Sequence, residues 1–84
     1  MNYNGDTASM KTIVEVLTAI RPEFDFTTSQ DFVGDGMLDS YDIVTLVSDL
    51  DAAYGISISG LDIVPENFQN IASIQKLLQK YGQA

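Results

Sequence analysis

The first apolar stripe of the chain predicts an amphipathic helix near the N-terminus. Its members recur at offsets of 3, 4, 7 and 10 residues and are Met10, Ile13, Val14, Leu17 and Ile20. We expect Asp6 or Thr7 to cap the start of this helix. We expect Pro22 to end it, because the residue before a proline, here Arg21, disfavours helical geometry.

Two further stripes predict two further helices. The second helix is expected from Ser40 to Tyr54, with Gly55 as a left-handed cap, and its apolar positions are Ile43, Leu46, Val47, Leu50, Ala53 and Tyr54. The third helix has Asn70 or Ser73 as its cap and Gly82 as its stop, and its stripe is Ile71, Ile74, Leu77, Leu78 and Tyr81. The positive charges of Lys76 and Lys80 lie toward the C-terminal end of this last helix, where they interact favourably with its dipole.

The segments between the stripes predict connections. Residues 21–39 form a long loop, for which Phe32 and Leu38 are the expected anchors in the core. Residues 55–60 alternate apolar and polar positions, but no second strand could pair with them, so we expect an extended connector followed by a short helical turn around Pro65. The predicted fold class is all-α, a small bundle of three long helices and one short one, in a single domain 1–84 with an ordered core over 7–81.

Composition narrows the classes of function. The chain has 84 residues, no cysteine, no histidine and a net charge of −8, which disfavours nucleic acid and anionic membranes as partners. Residues 22–75 hold no basic residue and ten acidic ones, namely Glu23, Asp25, Asp31, Asp35, Asp39, Asp42, Asp49, Asp51, Asp62 and Glu66. Such segregated charge favours basic partners. The start lacks the features of a secretory signal, so we expect a cytoplasmic protein.

Intrinsic catalysis is disfavoured by the residue inventory, because no histidine or cysteine can form a nucleophile–base pair. A calcium loop is a more serious alternative, since five residues match an EF-hand loop: Asp31, Asp35, Gly36, Asp39 and Asp42. Val33 stands, however, where an oxygen ligand is needed, and Asp42 replaces the longer glutamate. We therefore expect no dedicated metal site.

The pair Asp39-Ser40 stands where the long loop meets the second helix. A serine at a helix start is often only a cap, but it can also carry a phosphodiester stabilised by the positive end of the helix dipole. Here the loop ends in Gly36-Met37-Leu38-Asp39-Ser40, and Pro65-Glu66-Asn67-Phe68 follows later. With these motifs nearly the whole chain, to about Tyr81, resembles the acyl carrier protein family.

The resemblance implies that Ser40 receives 4′-phosphopantetheine from coenzyme A through a partner transferase. The arm would then carry acyl groups as thioesters, supplying the sulfur that the chain lacks. Asp39 would help to engage the transferase and its metal ion, although a role as the helix cap is an equal alternative. The partner enzymes would carry basic docking patches. The residues of this chain expected to recognise them are Tyr41, Asp42, Asp49 and Asp51.

Two departures bear on the pathway. Tyr41 stands where the family commonly has leucine, and Thr45, Ala52 and Ala53 stand where fatty-acid carriers often have acids. Both departures indicate a specialised carrier, so polyketide, nonribosomal-peptide and D-alanyl pathways compete with fatty-acid synthesis. A discrete, monomeric acyl carrier of fatty-acid or polyketide-type biosynthesis is the first choice. An aminoacyl, D-alanyl or peptidyl carrier is the second choice, and an acidic calcium-binding or adaptor module is a distant third.

Overall fold

Three α-helices carry the fold in the computed structural model, which describes the backbone of residues 5–83 and the side chains of residues 12–83. These are α1 (Gly5–Ile20), α2 (Ser40–Tyr54) and α3 (Ile71–Lys80), and two short 3₁₀ helices, Gly60–Asp62 and Pro65–Phe68, lie between α2 and α3. Residues 5–83 contain no strand, so the predicted all-α class is confirmed.

The hydrophobic core lies where α1 packs on α2 and α3, with the second 3₁₀ helix closing it from the side of α3. The largest fully buried side chains come from all of these elements and from the long loop: Ile13, Leu17, Phe26, Phe32, Leu46, Leu50, Phe68, Ile74 and Leu78. Most of them belong to the predicted stripes, because side chains at helical spacing share one face.

The first helix confirms the stripe in its second half. Ile13 and Leu17 are fully buried, and Ile20 packs at the edge of the core. The structure describes this helix from Gly5 onward, and the side chains of Asp6 and Thr7, where we expect the cap, lie outside the described residues. The side chain of Met10 lies outside the described residues.

The second helix has the predicted bounds. Gly55 ends it with φ 65°, and the Gly55 N–H donates to the Asp51 carbonyl. The left-handed conformation is open to glycine without the steric cost that a side chain would add.

The connector differs from the prediction in one respect. Ile58 is buried and Ile56 packs against the core, as expected. The single short helix, however, is two 3₁₀ turns. The reason is Pro65, which holds the preceding Val64 extended, at φ −129° and ψ 149°, between the two turns.

The third helix begins at the first of the two predicted caps. The Asn70 side chain accepts a hydrogen bond from the Ser73 N–H at 2.8 Å. At the other end Gly82, at φ 80°, allows the Gln83 N–H to donate to the Leu78 carbonyl at 2.9 Å. These bonds satisfy backbone groups that the helix ends leave open.

The long loop between α1 and α2 is anchored by aromatic packing and backbone bonds. Phe32 and Leu38 are buried, as predicted, together with Phe26 and Met37. The rings of Phe26 and Phe32 meet edge to face with centroids 5.1 Å apart. The Phe32 carbonyl accepts from the Met37 N–H at 2.8 Å. This fixed loop delivers Asp39 and Ser40 to the start of α2.

Candidate functional site

Asp39 is the cap of α2. Its Oδ1 accepts a hydrogen bond from the Asp42 N–H at 2.8 Å, and its own N–H donates to Asp42 Oδ2 at 3.1 Å. The two residues thus form a capping box, in which each side chain satisfies a backbone group of the other. Of the two roles considered for Asp39, the cap is therefore confirmed, and the reading of Ser40 as the cap is wrong.

Ser40 is the first residue of the helix and is exposed. Its hydroxyl has no hydrogen-bond partner among residues 12–83. The backbone N–H groups of the first helical turn lack acceptors within the helix, and the positive end of the helix dipole lies at the same place. An anionic group bonded to the Ser40 oxygen would be stabilised here.

Arg21 brings positive charge to this site from the end of α1. Its Nε donates to Asp42 Oδ2 at 3.0 Å, and its Nη2 lies 2.9 Å from the same oxygen. Nη2 also lies 3.7 Å from Asp39 Oδ2, and Nη1 lies 3.7 Å from Glu23 Oε2. We call Arg21, Asp39 and Asp42 the α2-start cluster.

The Asp42 carboxylate is held ionised by this cluster. Burial by itself would raise its pKa, but the Asp39 N–H and the Arg21 guanidinium together hold the pKa below its ordinary value. Only 5% of Asp42 is exposed, which corrects the expectation that it is a surface charge for partners. The amphipathic pattern places Asp42 beside the apolar face of α2. It does not indicate a partner for the carboxylate, because Arg21 comes close to Asp42 only in the folded chain.

Asp49 and Asp51 also differ from the expected solvated acidic face. Both are half-buried. Asp49 lines a groove against Glu15 of α1, and Asp51 Oδ1 accepts from the Ile58 N–H at 3.0 Å, which fastens the connector to α2. Asp51 therefore has a structural role that the sequence pattern did not indicate.

The exposed positions of α2 carry no charge, and they are Ser40, Tyr41, Val44, Ser48, Ala52 and Ala53. Tyr41 is 78% exposed and Val44 is 60% exposed. Val44 was not among the predicted site residues, although its position off the apolar stripe is the signal that could have indicated an exposed apolar side chain. We call Tyr41 and Val44 the apolar patch of α2.

The loop that precedes α2 carries five exposed acids: Glu23, Asp25, Asp31, Asp35 and Asp39. Two of them stabilise the loop, since Asp31 Oδ1 accepts from the Gly34 N–H at 3.0 Å and Asp35 Oδ2 accepts from the Ser29 hydroxyl at 2.6 Å. Among the residues whose side chains are described, no three acidic residues are gathered closely enough to hold a metal ion.

A second ion-paired cluster joins the end of α3 to the first 3₁₀ helix. Lys80 Nζ donates to Asp62 Oδ1 at 2.8 Å, and the Tyr81 hydroxyl donates to Asp62 Oδ2 at 2.6 Å. We call Asp62, Lys80 and Tyr81 the α3-end cluster. Together with the α2-start cluster it shows that the charges segregated in the sequence are partly paired in the fold, because Arg21 and Lys80 reach four of the ten central acids: Glu23, Asp39, Asp42 and Asp62.

No family model matches the chain, and neither the curated proteins nor the solved structures contain a match. Within the described part of the chain, no helix has both the length and the apolar character needed to cross a membrane.

Proposed function

We propose that this protein is a discrete acyl carrier, with Ser40 as the attachment point of 4′-phosphopantetheine. The observation that carries the proposal is the exposed Ser40 hydroxyl at the first residue of α2. Because Asp39 caps the helix, that hydroxyl is not needed for capping. The sequence motif around Ser40 and the resemblance of the chain to the carrier family support the same residue.

The surroundings of Ser40 fit a phosphodiester. The negative charge would lie at the positive end of α2, near backbone N–H groups that have no acceptor within the helix. In the attachment step the Ser40 oxygen forms a bond to the phosphorus of coenzyme A that bears the pantetheine group. The phosphoanhydride bond between this phosphorus and the adenosine part breaks. Adenosine 3′,5′-bisphosphate leaves, and the proton of Ser40 passes to a base of the transferase. When bound, the arm supplies the thiol on which an acyl group is carried.

The chain itself contributes positioning and recognition and no acid–base chemistry. Asp39 and Asp42 are the carboxylates nearest to Ser40 in sequence, and the capping box holds both of them. The Asp39 side chain is nevertheless 63% exposed, so it can also face the metal ion of a transferase. In this proposal the base that activates Ser40 belongs to the partner transferase, and the protein carries the group without catalysing its attachment.

Partner enzymes that act at Ser40 approach two chemically different surfaces. One is the apolar patch of α2, and the other is the set of exposed acids of the preceding loop. Basic docking patches therefore face the loop, while α2 contributes contact area around Tyr41. Asp42, Asp49 and Asp51 act in this proposal chiefly through the fold.

The attachment is tested by intact mass after incubation with a phosphopantetheinyl transferase and coenzyme A. We expect the parent protein to gain the mass of one phosphopantetheinyl group and Ser40→Ala to gain none. Ser48→Ala is the matched control, because Ser48 is exposed on the same helix. Modification of Ser40→Ala would contradict the site, and an unmodified parent with several active transferases would contradict the function.

The docking surface is tested by loading rates at low salt. We expect Tyr41→Ala to slow modification of Ser40 about tenfold, since losing one anchor at a contact costs about 1.4 kcal/mol or more. Asp49→Lys should leave the rate within about twofold, because Asp49 is half-buried against α1. A larger loss of rate for Asp49→Lys than for Tyr41→Ala would show that the acids of α2 recognise the partner.

The type of cargo follows from which group the modified protein accepts. Transfer of acyl groups by fatty-acid or polyketide-type enzymes would support the first choice. Selective loading by an amino-acid-activating enzyme would support the aminoacyl, D-alanyl or peptidyl alternative.

A further inference from the structure

Arg21 occupies a place at the candidate site that attachment at Ser40 alone does not require. It is the cation of the α2-start cluster and the last basic residue before position 76. We propose that Arg21 is a positioning residue, which fixes the start of α2 and thereby presents the Ser40 oxygen to the transferase. This inference rests on the proposed attachment at Ser40.

The guanidinium group matches its surroundings better than a lysine would. Nε and Nη2 both reach Asp42 Oδ2, at 3.0 and 2.9 Å. Nη2 also faces Asp39, and Nη1 faces Glu23. The planar group of arginine can address several carboxylates from one side chain, whereas the lysine ammonium acts as a compact point charge.

The backbone of Arg21 is held in place by α1. Its N–H donates to the Leu17 carbonyl at 2.9 Å, which continues the bonding pattern of α1, and Leu17 is fully buried. The guanidinium therefore ties the start of α2 to the end of α1. The contact spans 21 residues of sequence and bridges the whole loop.

Loss of Arg21 would change the position of Ser40 by disturbing the capping box of Asp39 and Asp42. Asp42 Oδ2 accepts from Arg21 and also from the Asp39 N–H. A buried carboxylate without its counterion draws in water or moves toward solvent, and Asp42 cannot move without releasing the Asp39 N–H. Ser40 lies between these two residues in sequence, so the backbone that carries its oxygen would lose a fixed position. Displacement at phosphorus requires a well-placed nucleophile, and a small misplacement costs a large factor in rate.

The test is the kinetics of Ser40 modification by a transferase with coenzyme A, using Arg21→Gln, Arg21→Lys and the control Lys76→Gln. Lys76 is exposed on α3, and its replacement changes net charge equally. At a temperature where circular dichroism shows all variants folded, we expect Arg21→Gln to lower kcat about tenfold with KM for the carrier within about twofold. Arg21→Lys should fall between this variant and the parent, and Lys76→Gln should match the parent.

A second measurement needs no transferase. Hydrogen exchange at the Asp42 and Ile43 amides, which donate to Asp39, should speed up in Arg21→Gln, while the amides of α3 keep the parent rates. Merely lower global stability would instead speed exchange of the slowest amides everywhere.

The outcomes separate this inference from the proposed function. A modified parent with an unchanged kcat in Arg21→Gln overturns the positioning role and leaves the function standing. A rise in KM alone assigns Arg21 to docking, and a lower kcat without faster exchange at residues 42 and 43 removes the capping box as the route; both overturn the inference. An unmodified parent defeats the function and the inference together. If Arg21→Gln fails to fold, Arg21→Lys carries the same comparison.

Discussion

The α2-start cluster and the α3-end cluster each join a helix terminus to a distant segment through a cation and a carboxylate, but they bury these groups differently. The Asp42 side chain is 7% exposed and that of Arg21 38%. The Asp62 side chain is 14% exposed, and that of Lys80 is 62% exposed. The first cluster has a buried carboxylate and a cation that is more than half covered, whereas the second has a cation that remains largely in water.

The donors also differ. One oxygen of Asp42 accepts from Arg21 and from a backbone N–H of the turn that it helps to cap. The two oxygens of Asp62 are shared between an ammonium and a phenol. Losing the partner of an enclosed carboxylate is costly, while an exposed cation exchanges its partner for water at little loss. We therefore expect the α2-start cluster to matter more for the fold.

The largest effect is expected for Asp42→Ala. It removes hydrogen bonds of a buried charged group and half of the capping box, so the free energy of unfolding should fall by about 2–3 kcal/mol. Asp49→Ala on the same helix should change it by less than about 0.5 kcal/mol. Urea denaturation measures both, and equal losses would show that Asp42 is no more than one of several acids of α2.

Acid should reduce the stability that both clusters contribute to the fold, because the pKa of the carboxylate in each cluster is lowered. The Asp42 pKa is lowered, against the effect of burial, by the Asp39 N–H and Arg21. The Asp62 pKa is lowered by the hydrogen bonds from Lys80 and Tyr81. Each contribution is complete above the unfolded-state pKa of about 4 and is lost as the pH falls through the folded-state pKa, because the unfolded chain binds protons first.

Urea unfolding between neutral pH and the acid limb tests this dependence. Asp42→Asn should flatten the acid limb, and so should Asp62→Asn, without abolishing it. Thr27 donates to Asp25 and lowers the Asp25 pKa as well, so some slope remains in each variant. A limb unchanged by Asp42→Asn would contradict an ionised, stabilised Asp42.

The smallest effect is expected from Lys80→Gln. Lys80 is mostly exposed, so its loss should lower Tm less than Arg21→Gln does. Salt should also erase the effect of Lys80→Gln more readily, since at about 1 M the screening length is about 3 Å. Thermal melts at low and high salt provide the measurement. A larger loss of Tm for Lys80→Gln than for Arg21→Gln would reverse the order of the two clusters.

Local pattern was sufficient to predict most of the helices. The bounds of α2 follow from its stripe, from the cap at Asp39 and from Gly55, and all of these act over a few residues. The loop anchors Phe32 and Leu38 were predictable because Phe and Leu are among the residue types most often buried. The first 3₁₀ helix, Gly60–Asp62, was missed because short turns have no sustained period.

The surface of α2 shows where local pattern fails. Helical spacing puts Asp42, Asp49 and Asp51 off the apolar stripe, which suggests solvated charges. Each position is decided by a segment outside α2: Arg21 pairs with Asp42, α1 flanks Asp49 and the connector that follows α2 bonds to Asp51. The exposed face is consequently apolar at Tyr41 and Val44.

The sequence by itself determined the three helices, the position of Ser40 at the start of α2 and the acidity of the chain, because these depend on residue spacing, capping and composition. Only the tertiary structure decided which acids face solvent and which are paired, since that depends on where α1 and α3 deliver their few cations. The physical reason is the range of the forces involved. Capping acts within one turn, whereas burial and ion pairing depend on neighbours that only the fold brings together.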